Sequence, residues 1–181
     1  IAHYLEHMLF KGTGDFGTFD FPKEKELLDK IVELYDIRFK EKDENKRLEL
    51  QNQINQLSVE ASKYAVPNEI DAIYSKLGGK GLNAYTDGDE TVYIIDLPKN
   101  RLEQWAVVES NRFVNPMFRL FQSELETVYE EKNRSLDNKE RILYEAVSKQ
   151  LYKVHPYGTQ TTLGTVEHLK NPSLSKMYEF Y

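Results

Sequence analysis

The chain has 181 residues, 40% of them hydrophobic and 30% charged, with a formal net charge of −6. This is a globular composition with enough apolar residues for one domain core. No apolar run approaches the roughly 20 residues of a membrane span, and an acidic balance without a basic stripe argues against a nucleic-acid partner. Cysteine is absent, which excludes disulfides and thiolate metal sites, leaves the redox compartment open, and leaves His, Asp and Glu to hold any metal. The chain starts at Ile1 rather than Met and stops at Tyr181 in mid-pattern, so a fragment or processed piece is expected.

The first element predicted is a helix over Ile1–Phe10, with Gly12 as its stop. Residues three and four apart are neighbours on a helix surface, which puts His3, Glu6, His7 and Phe10 on one side. Ile1, Leu5, Met8 and Leu9 form an apolar stripe on the other. Two imidazoles one turn apart can bind one metal ion, with Glu6 beside its open side. Zinc suits two nitrogens and a carboxylate, and a fourth position left to water makes such a site catalytic. H-x-x-E-H is a known zinc signature, the reverse of H-E-x-x-H.

Lys11–Pro22 reads as a loop. Leu27, Ile31, Leu34 and Arg38 then give a helix over Lys23–Glu41, and Lys42–Asn45 a turn. Leu50, Ile54, Leu57, Ala61 and Tyr64 continue with the spacing of a helix–helix seam as far as Pro67. The expectation is an antiparallel helical hairpin projecting from the domain, a packing ornament rather than a coiled coil. A short helix over Glu69–Leu77, closed by Gly78-Gly79, follows. Gly81–Thr86 and Thr91–Leu97 read as strands joined by the Asp87-Gly88-Asp89 turn. Asn100 is expected to cap a helix to about Phe113. Ser123 and Glu126 make a capping box that opens the next helix, on which Glu124 and Glu131, two turns apart, share a face. Asn138 begins a helix to about Tyr152, and Val154–Gly158 is a loop in which His-Pro-Tyr-Gly is a structural turn rather than a ligand. Two helical stretches, Thr165–Leu169 and Ser173–Tyr181, end the chain, with His168 at the surface.

Five motifs in order carry a resemblance: His-Tyr-Leu-Glu-His-Met-Leu-Phe-Lys-Gly-Thr at 3–13, Asn-Ala-Tyr-Thr at 83–86, Glu-Thr-Val-Tyr at 90–93, Glu-x6-Glu at 124–131 and His-Pro-Tyr-Gly at 155–158. The chain resembles the catalytic domain of pitrilysin/insulinase-type zinc metallopeptidases, the group that includes mitochondrial processing peptidase. The resemblance implies a partial α+β domain of sheet and helices over residues 1–181, with 14–77 as a helical insertion that lengthens the usual spacing between His7 and the last ligand. Insertions of this kind are tolerated because loop-closure entropy grows slowly with length. It implies Zn2+ held by His3, His7 and Glu131, with Glu6 as general base and Glu124 as the supporting acid behind a histidine. Glu130, the competitor for the third position, points about 100° away on an ideal helix.

The resemblance also implies substrate lying extended on the Asn83–Ala84 strand, further strands ahead of the His helix, and a second homologous half on the same chain or a separate subunit. A chain lacking that half is expected to bind zinc weakly or cleave poorly. The implied function is endopeptidase action on extended or unfolded peptides, and a bacterial envelope or periplasmic location is the leading expectation. Two readings of other classes stand beside it: a non-catalytic scaffold of the same family, and a helical partner-binding module built on the hairpin.

Overall fold

A computed structural model describes residues 2–181, so Ile1 of the predicted apolar stripe lies outside the described residues. The architecture is α+β, mostly helical with one small antiparallel sheet. The opening helix α1 (Ala2–Met8) is central to it. Leu5, Met8 and the following Leu9 are buried in the core, as the stripe predicts, and Tyr4, which the stripe did not include, is buried with them. Burying each such side chain contributes about 1.5–3 kcal/mol. The helix ends at Met8, short of Phe10, and Gly12 serves a different purpose from the predicted helix stop.

Two helices follow, α2 (Phe21–Lys40) and α3 (Glu44–Ser62), packed on each other. The hairpin is real, but it does not project. Leu28, Ile31 and Tyr35 of α2 and Ile54 and Ala61 of α3 belong to the same core as α1. Tyr35 lies 5.0 Å from the Phe121 ring and donates to Gln122 Oε1 at 2.6 Å. The expected stripe of Leu27 and Leu34 is only partly buried. A second apolar face one residue further on, Leu28–Tyr35, takes the central place. α2 starts two residues before Lys23, because Asp20 accepts from Lys23 N (3.3 Å) and Pro22 fits a first helical turn. α3 stops at Ser62, well before Pro67. The chain there turns away to bond a loop, through Phe19 N to Tyr64 O (2.7 Å) and Val66 N to Gly17 O (2.9 Å).

α4 (Glu69–Lys76) leads into β1 (Lys80–Thr86), which pairs antiparallel with β2 (Thr91–Asp96). Ala84 stands opposite Tyr93 and Thr86 opposite Thr91, and the register shifts between Lys80 and Asn83, where Gly81 takes φ +66°. The turn closes through Asp87 N to Glu90 O (2.8 Å), and Tyr157 of the His-Pro-Tyr-Gly segment bonds Asp89. His155 caps the single turn α8 (Pro156–Thr159), which replaces the predicted loop and agrees with the structural role expected of that motif.

Two predicted starts are wrong for local reasons. Asn100 sits in a single 3-10 turn, and α5 (Leu102–Val114) begins without a side-chain cap. α6 (Phe121–Leu136) begins before the Ser123 capping box. Leu120 takes the left-handed conformation at φ +56°, and Ser123 Oγ donates to Leu120 O (2.9 Å). Asn138, Thr165 and Ser173 do cap α7 (Lys139–Leu151), α9 (Val166–Lys170) and α10 (Leu174–Phe180). Ser173 and Ser175 donate to Asp36, tying α10 to α2.

The loop from Lys11 to Gly17 closes around one side chain. Arg119 is 1% exposed and Glu24 is 0% exposed. The guanidinium meets Glu24 through Nε (2.9 Å) and Nη2 (3.1 Å), and also donates to the carbonyls of Lys11 (2.6 Å), Thr13 (2.7 Å) and Phe16 (3.2 Å). Gly12 and Gly17 adopt φ +93° and +86°, and a Cβ at either would meet Arg119 Nη1. Only glycine fits, because both the left-handed backbone and the close approach exclude a side chain. We expect Arg119→Leu or Glu24→Leu alone to cost about 3–5 kcal/mol in urea unfolding, since each leaves a buried charge without its partner. The double replacement should cost less than the sum, and additive losses would show that the two groups do not act as a pair.

Candidate metal centre

Two helices bring the predicted site residues together. α1 presents His3, Glu6 and His7, while α6 buries Phe121, Leu125 and Val128 and turns Glu124 and Glu131 toward α1. The register between the helices is fixed by Tyr4, whose ring lies 4.8 Å from Phe121 and whose hydroxyl donates to Phe121 O at 2.6 Å. His3 Nε2 lies 2.8 Å from Glu131 Oε2, and His7 Nε2 lies 3.6 Å from the same oxygen. The imidazole centroids are 4.9 Å apart. One ligand atom from each of His3, His7 and Glu131 lies within 4.8 Å of the other two. Glu130 is exposed and outside this group, as the helical geometry predicts.

The donor set fits zinc: two imidazole nitrogens and one carboxylate oxygen, half-exposed, with no thiolate in the chain. The local charge fits too. Three carboxylates, of Glu6, Glu124 and Glu131, crowd the two histidines, and Lys11 is the cation paired with them, at 2.6 Å from Glu124 Oε1. A divalent ion would balance that excess.

Glu124 stands behind His7, with Oε2 3.2 Å from His7 Nδ1. A carboxylate can only accept, so this contact favours a ring proton on Nδ1 and leaves Nε2, the nitrogen on the Glu131 side, as the one that could ligate a metal. The hydrogen bond to Glu124 raises the His7 pKa above its ordinary 6.5; burial opposes the shift, and the charges of Glu131, Glu124 and Glu6 add to it. Burial disfavours the Glu124 carboxylate, but its bonds to His7 and Lys11 outweigh burial and hold its pKa below the ordinary value.

Glu6 is buried. Its Oε2 accepts from Thr86 Oγ1 at 2.5 Å and lies 3.4 Å from His3 Nδ1, and no partner for Oε1 is found among the described residues. Thr86 is also within 3.0 Å of Thr91 Oγ1, and Tyr93 donates to the Glu6 carbonyl at 3.3 Å. The β-hairpin therefore reaches the site through Thr86. Ala84 shares the half-buried side of β1 with Thr86, whereas Asn83 is exposed on the other side. The structure does not bring the Asn83 side chain to the cluster.

Thr86 and Lys11 are the residues that sequence reasoning left without a role. Both lie within quoted motifs, and for Thr86 the signal was its two-residue spacing from Ala84, which fixes the shared face.

No helix among the described residues is long and apolar enough to cross a membrane. No curated protein matches the chain. The sequence model of the family described as insulinase (peptidase family M16) matches residues 37–165, a span that contains Asn83, Ala84, Glu124 and Glu131 and begins after His3, Glu6 and His7. Members of that family are generally metallopeptidases, typically use zinc, act on peptides and often pair homologous halves. With the larger part of its length matched, and with the five motifs in order along it, the chain belongs to the insulinase family of peptidases.

Proposed function

We propose that the protein is a zinc-dependent endopeptidase acting on extended or unfolded peptides, with His3, His7 and Glu131 as metal ligands and Glu6 as general base. The observation that carries this reading is the convergence of three ligand atoms within 4.8 Å of one another, beside a second carboxylate, Glu6, that is not among them. Zinc, when bound, polarises a carbonyl and brings the pKa of its water to about 7. The chain's own contribution is positional. Thr86 holds Glu6 by Oε2, leaving Oε1 to take a proton and pass it to the leaving amine. Glu124 holds His7 by Nδ1 so that Nε2 is available as a ligand.

The peptide lies as a strand along the edge of β1, bonded through its main chain. Support comes from the sheet: among the described residues β1 pairs with β2 alone, and its last residue, Thr86, touches Glu6. Ala84 is small and half-buried, so the backbone beside it stays open. Asn83 contributes through its backbone, since its side chain faces away. A second homologous half, on this chain or another, completes the enclosure of the substrate.

In the protein complete with its second half, replacing Glu6 by Gln should leave bound zinc near stoichiometric and reduce cleavage of a quenched peptide library by at least about 100-fold, the usual weight of a general base. His3→Ala should remove the metal, and stoichiometric zinc in His3→Ala, measured by atomic absorption, would refute the ligand assignment.

The raised His7 pKa has a sign that can be checked. A proton on His7 Nε2 competes with the metal, and His7 holds that proton to a higher pH than an ordinary histidine. Zinc affinity should therefore begin to fall above pH 6.5 as pH is lowered, by about tenfold per unit for one displaced proton. Glu124→Gln should weaken zinc by about 10–100-fold and move that onset to lower pH, both read by competition with a chelating dye. An unshifted onset would mean that Glu124 does not govern His7.

Peptides N-methylated on the backbone near the cut should be cleaved at least about tenfold less efficiently, because each methyl removes one strand hydrogen bond. Unchanged kcat/KM would exclude strand addition.

A further inference from the structure

Beyond Glu131 the α6 face continues into a hollow of about 330 Å3, bounded by His3, Glu131, Arg134, Asn138, Arg141 and Leu163. Its size is at the lower end of ligand sites, enough for one side chain or chain terminus. Two guanidiniums wall it, in a chain whose net charge is −6. Arg134 is one turn on from Glu131 and adjacent to it on the helix surface, yet Glu131 Oε2 faces His3 and His7 instead. Among the described residues the Arg134 guanidinium has neither a hydrogen bond nor an ion pair. Arg141 meets Glu145 at 3.2 Å and Thr162 Oγ1 at 3.4 Å through Nε and Nη2, leaving Nη1 free. Asn138 Oδ1 accepts from Arg141 N at 3.0 Å, so its amide N–H groups remain as donors. The hollow thus presents hydrogen-bond donors and the unpaired charge of Arg134 next to the candidate metal ligands, with Arg141 ion-paired to Glu145 through Nε but keeping Nη1 as a donor, and with Glu131, the carboxylate on the rim, already engaged.

We propose that this hollow is a carboxylate subsite: Arg134 and Arg141 bind an acidic group of the peptide, either an Asp or Glu side chain close to the cut or a free C-terminus, and so select acidic substrates. The proposal rests on the peptidase reading for the orientation of the peptide, and it deepens that reading by naming a substrate class. Guanidinium is suited to the task because its planar donors match the two oxygens of a carboxylate. Arg134 also lies in the last turn of α6, where a cation favours the helix dipole. That role affects stability and predicts no selectivity between peptides.

The test uses zinc-loaded Glu6→Gln protein and four fluorescent peptides of one sequence, carrying Glu or Gln at a single position and a free or amidated C-terminus. Anisotropy should show the peptide with the favoured carboxylate binding about tenfold tighter than its neutral partner, a charge-assisted contact's worth, with the difference shrinking as salt is raised. Whether the preference follows the side chain or the terminus tells the two sources apart. Adding Arg134→Gln and Arg141→Gln should abolish the preference while the zinc-loaded protein stays folded at the assay temperature, any small loss of melting temperature reflecting the helix-dipole and Glu145 contacts. Arg134→Glu should reverse it toward a Lys-containing peptide. Equal binding of acidic and neutral peptides, or a preference that survives the double replacement, overturns the proposal. Wild-type cleavage of the neutral peptide reports separately on the peptidase reading. Acid-selective binding without any cleavage would sink that reading and leave the subsite standing, whereas cleavage without acid-selective binding would do the reverse.

Discussion

The buried guanidinium of Arg119 is the constraint from which the geometry of the site follows. A charge taken fully out of water is costly unless it is paired and its remaining donors are satisfied. Arg119 meets both conditions by gathering Glu24 from the first turn of α2 and three carbonyls from the loop that leaves α1. That loop has no regular structure, yet it bonds in two directions, to the end of α3 and, through Met117 N to Gly12 O at 3.1 Å, to the segment before α6. Lys11 is carried in the same loop, its carbonyl on Arg119 and its ammonium on Glu124. Glu124 in turn holds His7. A continuous chain of polar contacts therefore runs from the most buried ion pair of the fold to an imidazole of the candidate site. The left-handed Leu120 next to Arg119 belongs to the same arrangement: it lets the guanidinium turn inward while the chain starts α6 at the next residue. Such a conformation costs about 1–3 kcal/mol in a residue with a Cβ, and it persists where the surroundings over-determine it.

Much of this was legible from residue spacing. His3, Glu6 and His7 share a helix face by period alone, and Glu124 and Glu131 share one because two turns is seven residues; the structure turns those two faces toward each other. The strands and their turn were read from Thr-Val-Tyr-Ile-Ile and Asp-Gly-Asp and stand within a residue of their predicted limits. Helix starts were legible where a polar side chain is free to cap, as at Asn138, Thr165 and Ser173, and illegible where tertiary bonding decides. Ser123 looks like a cap, but the segment before it is already committed by Arg119. Pro67 looks like a stop, but Tyr64 and Val66 leave the helix first to bond the loop. The central place of α2 was missed because two apolar faces one residue apart look alike in sequence, and only the partner, Tyr35 on Phe121, chooses between them.

Arg119 itself had a sequence signal, an arginine set within Met117-Phe-Arg-Leu-Phe121. A charge inside an apolar run is either an error of the reading or a paired, buried group. Its partner could not be named from spacing, since Glu24 lies 95 positions away. The same limit explains Lys11 and Thr86. Each is an ordinary polar residue by type, and each acquires a role because a distant element arrives beside it.

The two sides of Glu131 show how one helix can organise opposite electrostatic environments. Toward α1 its oxygen meets two imidazoles in a region crowded with carboxylates, which suits a cation. One turn further along the same surface, Arg134 and then Arg141 face a hollow that suits an anion. The separation depends on Glu131 being drawn to the histidines. Were it paired with Arg134, three residues on, one exposed ion pair worth under about 1 kcal/mol would replace both environments. His3 and His7, fixed by the burial of Tyr4, Leu5 and Met8 and by Glu124, supply the competing attraction. The apolar face of a seven-residue helix thus decides, through the side chains it forces outward, which charges on α6 remain unpaired.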